Sequence, residues 1–447
     1  MKRKFKVIIA LMLVFVMVLS ACGPKKEEKK QDEPKKSGEA KTGALKGTIS
    51  LQVEEGWKEY YEKVVKKITD ANPEAKIELK VIGSFEHLDL LNNTDATNPD
   101  FADVFALPAD RLNDIAQKGA LAKIDAEKLA SELGGFADFK AGLGGHLKYN
   151  NEYVAFPYNI ETLIVFVNKA NAKAAGIDDS KPFELNDAKD PSTVLLPIFN
   201  AWYGVAATNS AKIELLTQGA DGKFVSTLTK PFAELSAEEK ALFEGLYKYW
   251  KSHADAATPL FDLKAGWGFI DDQFKTGGKG VMRLEGPWAT SSMVEKAGEN
   301  LEIYPITQIT IAGKPLAHWQ GGWGLAINSR IEEDADKLAL ATAVIKEIVN
   351  PETAVELFKS TGKILENVPV EVYEKSDLKD IDKKVIKNVI ESYKISPPRP
   401  LFKEYGKVWA TWENAVLSWN NVKPENAEKA YEAIKASFDS MMTNIAQ

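Results

Sequence analysis

Residues 48–82 read TISLQVEEGWKEYYEKVVKKITDANPEAKIELKVI, and this stretch decides the fold class. From Thr48 to Val53 polar and apolar side chains alternate, the period of a strand with one face buried. Trp57, Tyr60, Tyr61, Val64, Val65 and Ile68 then recur at steps of three and four, which is one face of a helix, and residues 76–82 (KIELKVI) alternate again. Residues 101–107 (FADVFAL), 153–156 and 163–168 (LIVFVN) continue the series, with amphipathic stretches between them. Strand, helix and strand in alternation predict an α/β protein with parallel sheets sandwiched by helices and a ligand site beyond the carboxyl ends of the strands. The C-terminal third turns helical, with patterns over 335–349, 381–393, 402–419 and 424–445, and Asn350-Pro351-Glu352 reads as a capped helix start.

Upstream of that stretch, Lys2, Arg3, Lys4 and Lys6 precede an apolar run at 7–19, which is shorter than the roughly 20 residues a membrane-spanning helix needs. Residues 1–21 therefore read as a secretory signal peptide. The run ends in Leu19-Ser20-Ala21-Cys22-Gly23, which resembles the lipobox of bacterial lipoproteins, and Cys22 is the only cysteine in the chain. That resemblance implies a diacylglyceryl group on Cys22 and an exported protein lipid-anchored to the outer face of the bacterial cell membrane. Residues 22–47 follow as a Lys-rich charged tether with almost nothing to bury. A single cysteine excludes an intrachain disulfide, so packing must supply the stability.

The 447 residues suggest two or three compact units, and 45% hydrophobic with 27% charged residues excludes wholesale disorder. Net charge is −7, and since the signal and tether are net basic, the globular part is the acidic portion. Such a surface repels nucleic acid, and no Arg-rich aromatic stripe offsets it. The four histidines, His87, His146, His253 and His318, lack metal-ligand spacing, so no metal and no cofactor is expected. Gly277-Gly278-Lys279-Gly280 and Gly142-Leu143-Gly144-Gly145 lack the spacing of a phosphate loop and read as turns.

Aromatic side chains are abundant: 10 Trp, 13 Tyr and 20 Phe. Several tryptophans stand beside Gly, Pro, amide or acidic residues rather than in apolar runs, as in Glu54-Glu55-Gly56-Trp57, Asn200-Ala201-Trp202-Tyr203, Gly266-Trp267-Gly268, Glu285-Gly286-Pro287-Trp288 and Trp409-Ala410-Thr411-Trp412-Glu413. A pyranose presents a C–H face that packs on an aromatic plane and rim hydroxyls that need polar partners, so this pairing suits a carbohydrate site. Trp250 and Trp419 fall on apolar helix faces and are expected in the core, and Trp323 is expected between lobes rather than in the site.

Residues 110–119 (DRLNDIAQKG), 147–157 (LKYNNEYVAFP), 163–169 (LIVFVNK), 274–291 (FKTGGKGVMRLEGPWATS), the strand at 324–328 after Gly321-Gly322-Trp323 and the late helix around Trp409 together resemble the maltose/maltodextrin-binding protein family. The resemblance implies an α/β, two-lobed periplasmic-binding-protein-like fold, each lobe a sheet flanked by helices, joined by a three-crossover hinge. The first lobe would comprise 48–158 and 322–376, the second 159–321 and 377–447. The implied function is an extracellular solute-binding lipoprotein that captures an oligosaccharide, maltose or maltodextrin first, and delivers it as a monomer to the permease subunits of an ABC transporter.

Carried over by position, the resemblance implies stacking aromatics at Trp288, Trp409, Trp267, Trp202 and Tyr203, and polar contacts from Asp110, Arg111 and Glu161. Glu54, Glu55 and Trp57 fall at an N-lobe site where the family often has an acid and a base, so two acids are a departure. Leu107 stands where the maltose-binding prototype stacks an aromatic. Asp110 has a second reading as a helix cap, and Arg399 in Pro397-Pro398-Arg399-Pro400 reads as a solvated turn, with a place at the cleft edge as its second reading. An enzyme alternative, a glycoside hydrolase with Glu161 and Glu285 as paired carboxylates, requires the two about 5 to 9.5 Å apart across a cleft.

Overall fold

The structure, a computed structural model, describes residues 44–445 apart from Thr94 and Ala220. The signal peptide, Cys22 and the tether up to residue 43 lie outside the described residues. The globular part starts earlier than residue 48: Leu45 packs on the core and its N–H donates to Asn72 Oδ1 at 2.9 Å, and Gly47 already pairs with Ala75.

Two sheets carry the architecture. The first orders its strands Ala75–Ile82, Gly47–Glu54, Val104–Pro108, Gly321–Ile327 and Phe156–Glu161. Gly47–Glu54 runs parallel to both its neighbours and is buried from Ser50 to Glu54 on both faces, as an inner strand must be. The second sheet orders Leu301–Pro305, Ile164–Asn168, Met282–Glu285 and Val194–Leu195.

The expectation of parallel sheets holds only in part. Gly321–Ile327 is antiparallel to both its neighbours, and in the second sheet only Met282–Glu285 with Val194–Leu195 is parallel. The cause is connectivity. The chain leaves the first sheet at Glu161, enters the second at Ile164 and returns at Gly321, so the returning strand starts at the edge where the outgoing ones end. That edge gathers Glu54, Pro108, Trp323 and Glu161. Residues 159–161 continue the first sheet's strand, so the change of sheet falls at Thr162-Leu163, four residues beyond the expected 158 boundary.

Helices Lys58–Ala71, Ala335–Ile348 and Ala354–Thr361 pack together over the first sheet. Lys58–Ala71 buries Tyr60, Tyr61, Val64 and Ile68, four of the residues its periodicity singled out. Asn350 caps the turn Pro351–Thr353 by accepting from Glu352 N at 3.0 Å, as its sequence predicted. Asp380–Ile395 covers the second sheet, while Ala237–Asp255, Gly406–Val422 and Ala427–Ile445 pack on one another and close the C-terminal part. Trp250 and Trp419 are core residues, T-stacked at 5.9 Å, as is Trp412, whose indole N–H donates to Ile198 O. Among the described residues no helix is long and apolar enough to cross a membrane.

Candidate functional site

A cavity of about 820 Å³ lies where the edges of the two sheets face each other, within the ~300–1,000 Å³ usual for small-molecule sites. Glu54, Trp57, Glu161 and Trp323 line it from the first sheet's edge, and Trp202, Pro287 and Trp288 from the second's. The end of Ala354–Thr361 closes it, where Gly362 takes the left-handed conformation (φ 70°) and hands the chain to Lys363.

Local sequence explains how the rings are presented. Met282–Glu285 ends at Glu285, and Gly286-Pro287 turn the chain so that Trp288 stands about half exposed at the cavity wall. Its ring folds back over Gly286, where a Cβ would sit 2.2 Å from the indole, so this pose of the ring needs glycine beneath it. Trp202 is held in the first turn of Ala201–Ser210 by Asn200, whose Oδ1 accepts from Trp202 N at 3.0 Å. Trp288 and Trp202 lie 6.4 Å apart, tilted by 46°, and form one wall.

The opposite end is charged. The Lys363 ammonium lies over the Trp57 ring at 4.8 Å and the Trp323 ring at 4.7 Å, with Tyr158 at 5.8 Å. Burial pushes its pKa down, against the pull of Glu161 and Glu54. Glu161 is raised by burial, opposed by Lys363 and Arg399 and by a hydrogen bond from Trp323. Trp323 also stacks on His87 at 6.5 Å, 18° from parallel. It lines the cavity, which corrects its expected role as packing between lobes. Lys363 gave no signal in the sequence, because its place follows from how one helix end docks on a distant sheet edge.

Behind Trp202 the expectation for Arg399 is overturned. Its side chain is only 8% exposed, its Nη2 donates to Asp110 Oδ2 at 2.8 Å, and its guanidinium faces Trp202, Trp319 and Trp409 at 4.9, 5.6 and 5.8 Å. Three indole faces stabilise a planar cation that water would otherwise hold, so this is not a solvated turn. Asp110 is correspondingly no helix cap; its carboxylate pairs with Arg399, and Arg111 Nε lies 3.9 Å from it. His318 completes the cluster. Its ring meets Trp202 edge-on at 4.3 Å, its Nε2 bonds Trp202 O at 2.9 Å, and burial pulls its pKa down to about 3.

Of the eleven residues singled out for ligand contact, Glu54, Trp57, Glu161, Trp202 and Trp288 meet at the cavity. Trp409 stands behind Trp202 at 6.4 Å, and Asp110 and Arg111 sit with Arg399, outside the lining. Trp267 packs on Tyr203 at 5.5 Å and on Phe199 at 5.6 Å, away from the lining. Tyr203 is buried with its hydroxyl donating to Glu285 Oε1 at 2.6 Å. Glu55 points to solvent from the turn Glu55–Trp57, because only its neighbour Glu54 belongs to the buried strand. Leu107 is fully buried among Phe101, Phe105 and Leu112, so its departure from the prototype falls in the core.

Glu285 does not face Glu161 across the cavity. It is 5% exposed, takes the Tyr203 hydroxyl and pairs with Arg283 at 3.2 Å, so Glu161 and Glu285 are not the carboxylate pair that the hydrolase alternative named. Among the described residues no group of three or more His, Cys, Asp or Glu could hold a metal ion.

Residues 54–359 match the bacterial extracellular solute-binding protein family, and the chain belongs to it. No curated protein matches it by sequence. Solved structures share its fold. The maltose-binding periplasmic protein MalE of Listeria monocytogenes in complex with maltose aligns at TM-score 0.67 and 20% identity, over 89% of this chain and 98% of that one. MalX of Streptococcus pneumoniae in complex with maltopentaose gives 0.66 and 20%, over 88% and 99%. An extracellular solute-binding protein of Staphylococcus aureus in complex with maltose gives 0.66 and 20%, over 89% and 98%. The fold is thus the two-lobed one of these binding proteins.

Proposed function

We propose that this solute-binding protein is an oligosaccharide receptor that captures a neutral glycan of the maltose and maltodextrin class between its lobes and delivers it to the permease of an ABC transporter. One observation carries the reading: indole faces and charged groups, among them Glu54, Glu161 and Lys363, line one cavity, apolar planes for C–H faces beside polar groups for the sugar rim. The fold relatives crystallised with maltose and maltopentaose support the choice of glycan. We place the first lobe at 45–161 and 321–376 and the second at 162–320 and 377–447, with Cys22 as lipid anchor and the chain acting as a monomer. Sugar touching both lobes would favour the closed form by its differential affinity for the two states.

Calorimetric titration with maltose, maltotriose, maltotetraose, cellotriose and raffinose tests the proposal. Saturable binding of α-glucans without released glucose is expected. Absence of binding across the panel, or turnover of a bound sugar, refutes it.

A further inference from the structure

Lys363 enters from the left-handed end of Ala354–Thr361 and lines the cavity. Its ammonium is braced between the Trp57 and Trp323 faces at 4.8 and 4.7 Å. No hydrogen bond or ion pair joins Nζ to another described residue, so its three donors are uncommitted at the cavity wall. Glu54 and Glu161 line the same end. Stacked indoles restrict the lysine stem, and a donor held in place before binding loses little freedom when a ligand meets it. Leaving such a group partly out of water is unfavourable unless something pairs with it.

The geometry points to Lys363 as a specificity-determining residue that touches ligand: with Glu54 and Glu161 it forms a subsite for two neighbouring hydroxyls of a neutral sugar ring. The ammonium donates to a hydroxyl oxygen, while the hydroxyl protons go to the two carboxylates. One positive charge against two negative ones disfavours a uronate or sulfated ring there, because an added anion would face both carboxylates. This assignment rests on the oligosaccharide reading above and names which chemical feature of the sugar is read.

The test is a cycle of protein and ligand changes. Parent, Lys363→Met and Lys363→Gln are titrated with maltotriose and with derivatives lacking one hydroxyl of a terminal ring, after the melting temperature of each ligand-free variant has been measured. A hydrogen bond to a charged group predicts about 10–100-fold weaker maltotriose binding in the Met variant. One deoxy derivative should bind the parent at least tenfold more weakly than maltotriose yet bind the Met or Gln variant as maltotriose does. The assignment is overturned if Lys363→Met or Lys363→Gln binds maltotriose within twofold of the parent, or if deoxygenation costs parent and variant the same factor. The parent alone also decides it: if no single deoxygenation weakens its binding more than twofold, no such subsite exists. A parent that binds no sugar overturns the proposed function itself, a result distinct from a parent that binds and a variant that binds equally.

Discussion

Replacing Arg399 by Met keeps a long stem but removes the charge from between Trp202, Trp319 and Trp409. At 2.8 Å from Asp110 Oδ2, two unit charges attract by roughly 6 kcal/mol at an effective dielectric of about 20, before desolvation is subtracted. Removing one partner of a buried pair costs about 3–5 kcal/mol, because the other charge is left without compensation. Here the Asp110 side chain keeps 25% exposure and Arg111 lies 3.9 Å away, so the lower end applies, about 3 kcal/mol. Urea unfolding of Arg399→Met, Asp110→Asn and the double variant measures it. The double variant should be less destabilised than the sum of the two by about 1–2 kcal/mol, the coupling of residues in direct contact. A cost for Arg399→Met below about 0.5 kcal/mol, the range of ordinary surface changes, or a coupling near zero, would refute the buried cation between three indoles.

Trp288→Ala removes half of the wall made with Trp202, and maltodextrin affinity should fall by about 2 kcal/mol or more, roughly thirtyfold; calorimetry returning an affinity within twofold of the parent would remove Trp288 from the site. Gly286→Ala places a Cβ 2.2 Å from the Trp288 ring while its φ of −94° suits alanine, so the ring must swing out: binding should weaken at least fivefold while the melting temperature barely moves, and unchanged binding would mean the ring's pose is irrelevant. The stability lost on acidification from about pH 6.5 towards 3–4 should be smaller in His318→Gln than in the parent, because unfolded histidines bind protons that buried His318 (pulled down to about 3) and His253 (to about 4) refuse; the same change of denaturation midpoint over that range in both proteins would contradict it. Glu366 has the opposite sign. Burial raises it to about 7 with one backbone N–H, Leu143 N, as partner, so the folded chain holds a proton the unfolded chain has released, and the Glu366 contribution to stability is lost as pH rises from about 4.5 to 7. Glu366→Gln should flatten that limb and gain melting temperature at pH 8 relative to pH 5, and an equal change at both would refute it.

Local patterns were legible because they are local physics. Alternation marked Gly47–Glu54, three-and-four spacing marked the face of Lys58–Ala71, and Asn350-Pro351 marked a capped turn. The motif Glu285-Gly286-Pro287-Trp288 was readable for the same reason: a ring folding over its own glycine needs only neighbours in sequence. Trp267 and Tyr203 pack on each other outside the cavity lining, which sequence does not show because a tryptophan beside glycine looks alike whether its ring meets a cavity or another ring.

By itself the chain's order of residues determined the α/β class, the helical C-terminal third and the aromatic chemistry, since each depends on spacing along a few turns or one strand. Tertiary structure alone decided which charges meet those rings. Lys363 lies more than 300 residues from Trp57, and Arg399 lies 289 from Asp110. The returning strand Gly321–Ile327 and the docked helix ends bring them together, and a cation gains its partners only where folding has already excluded the water that would solvate it.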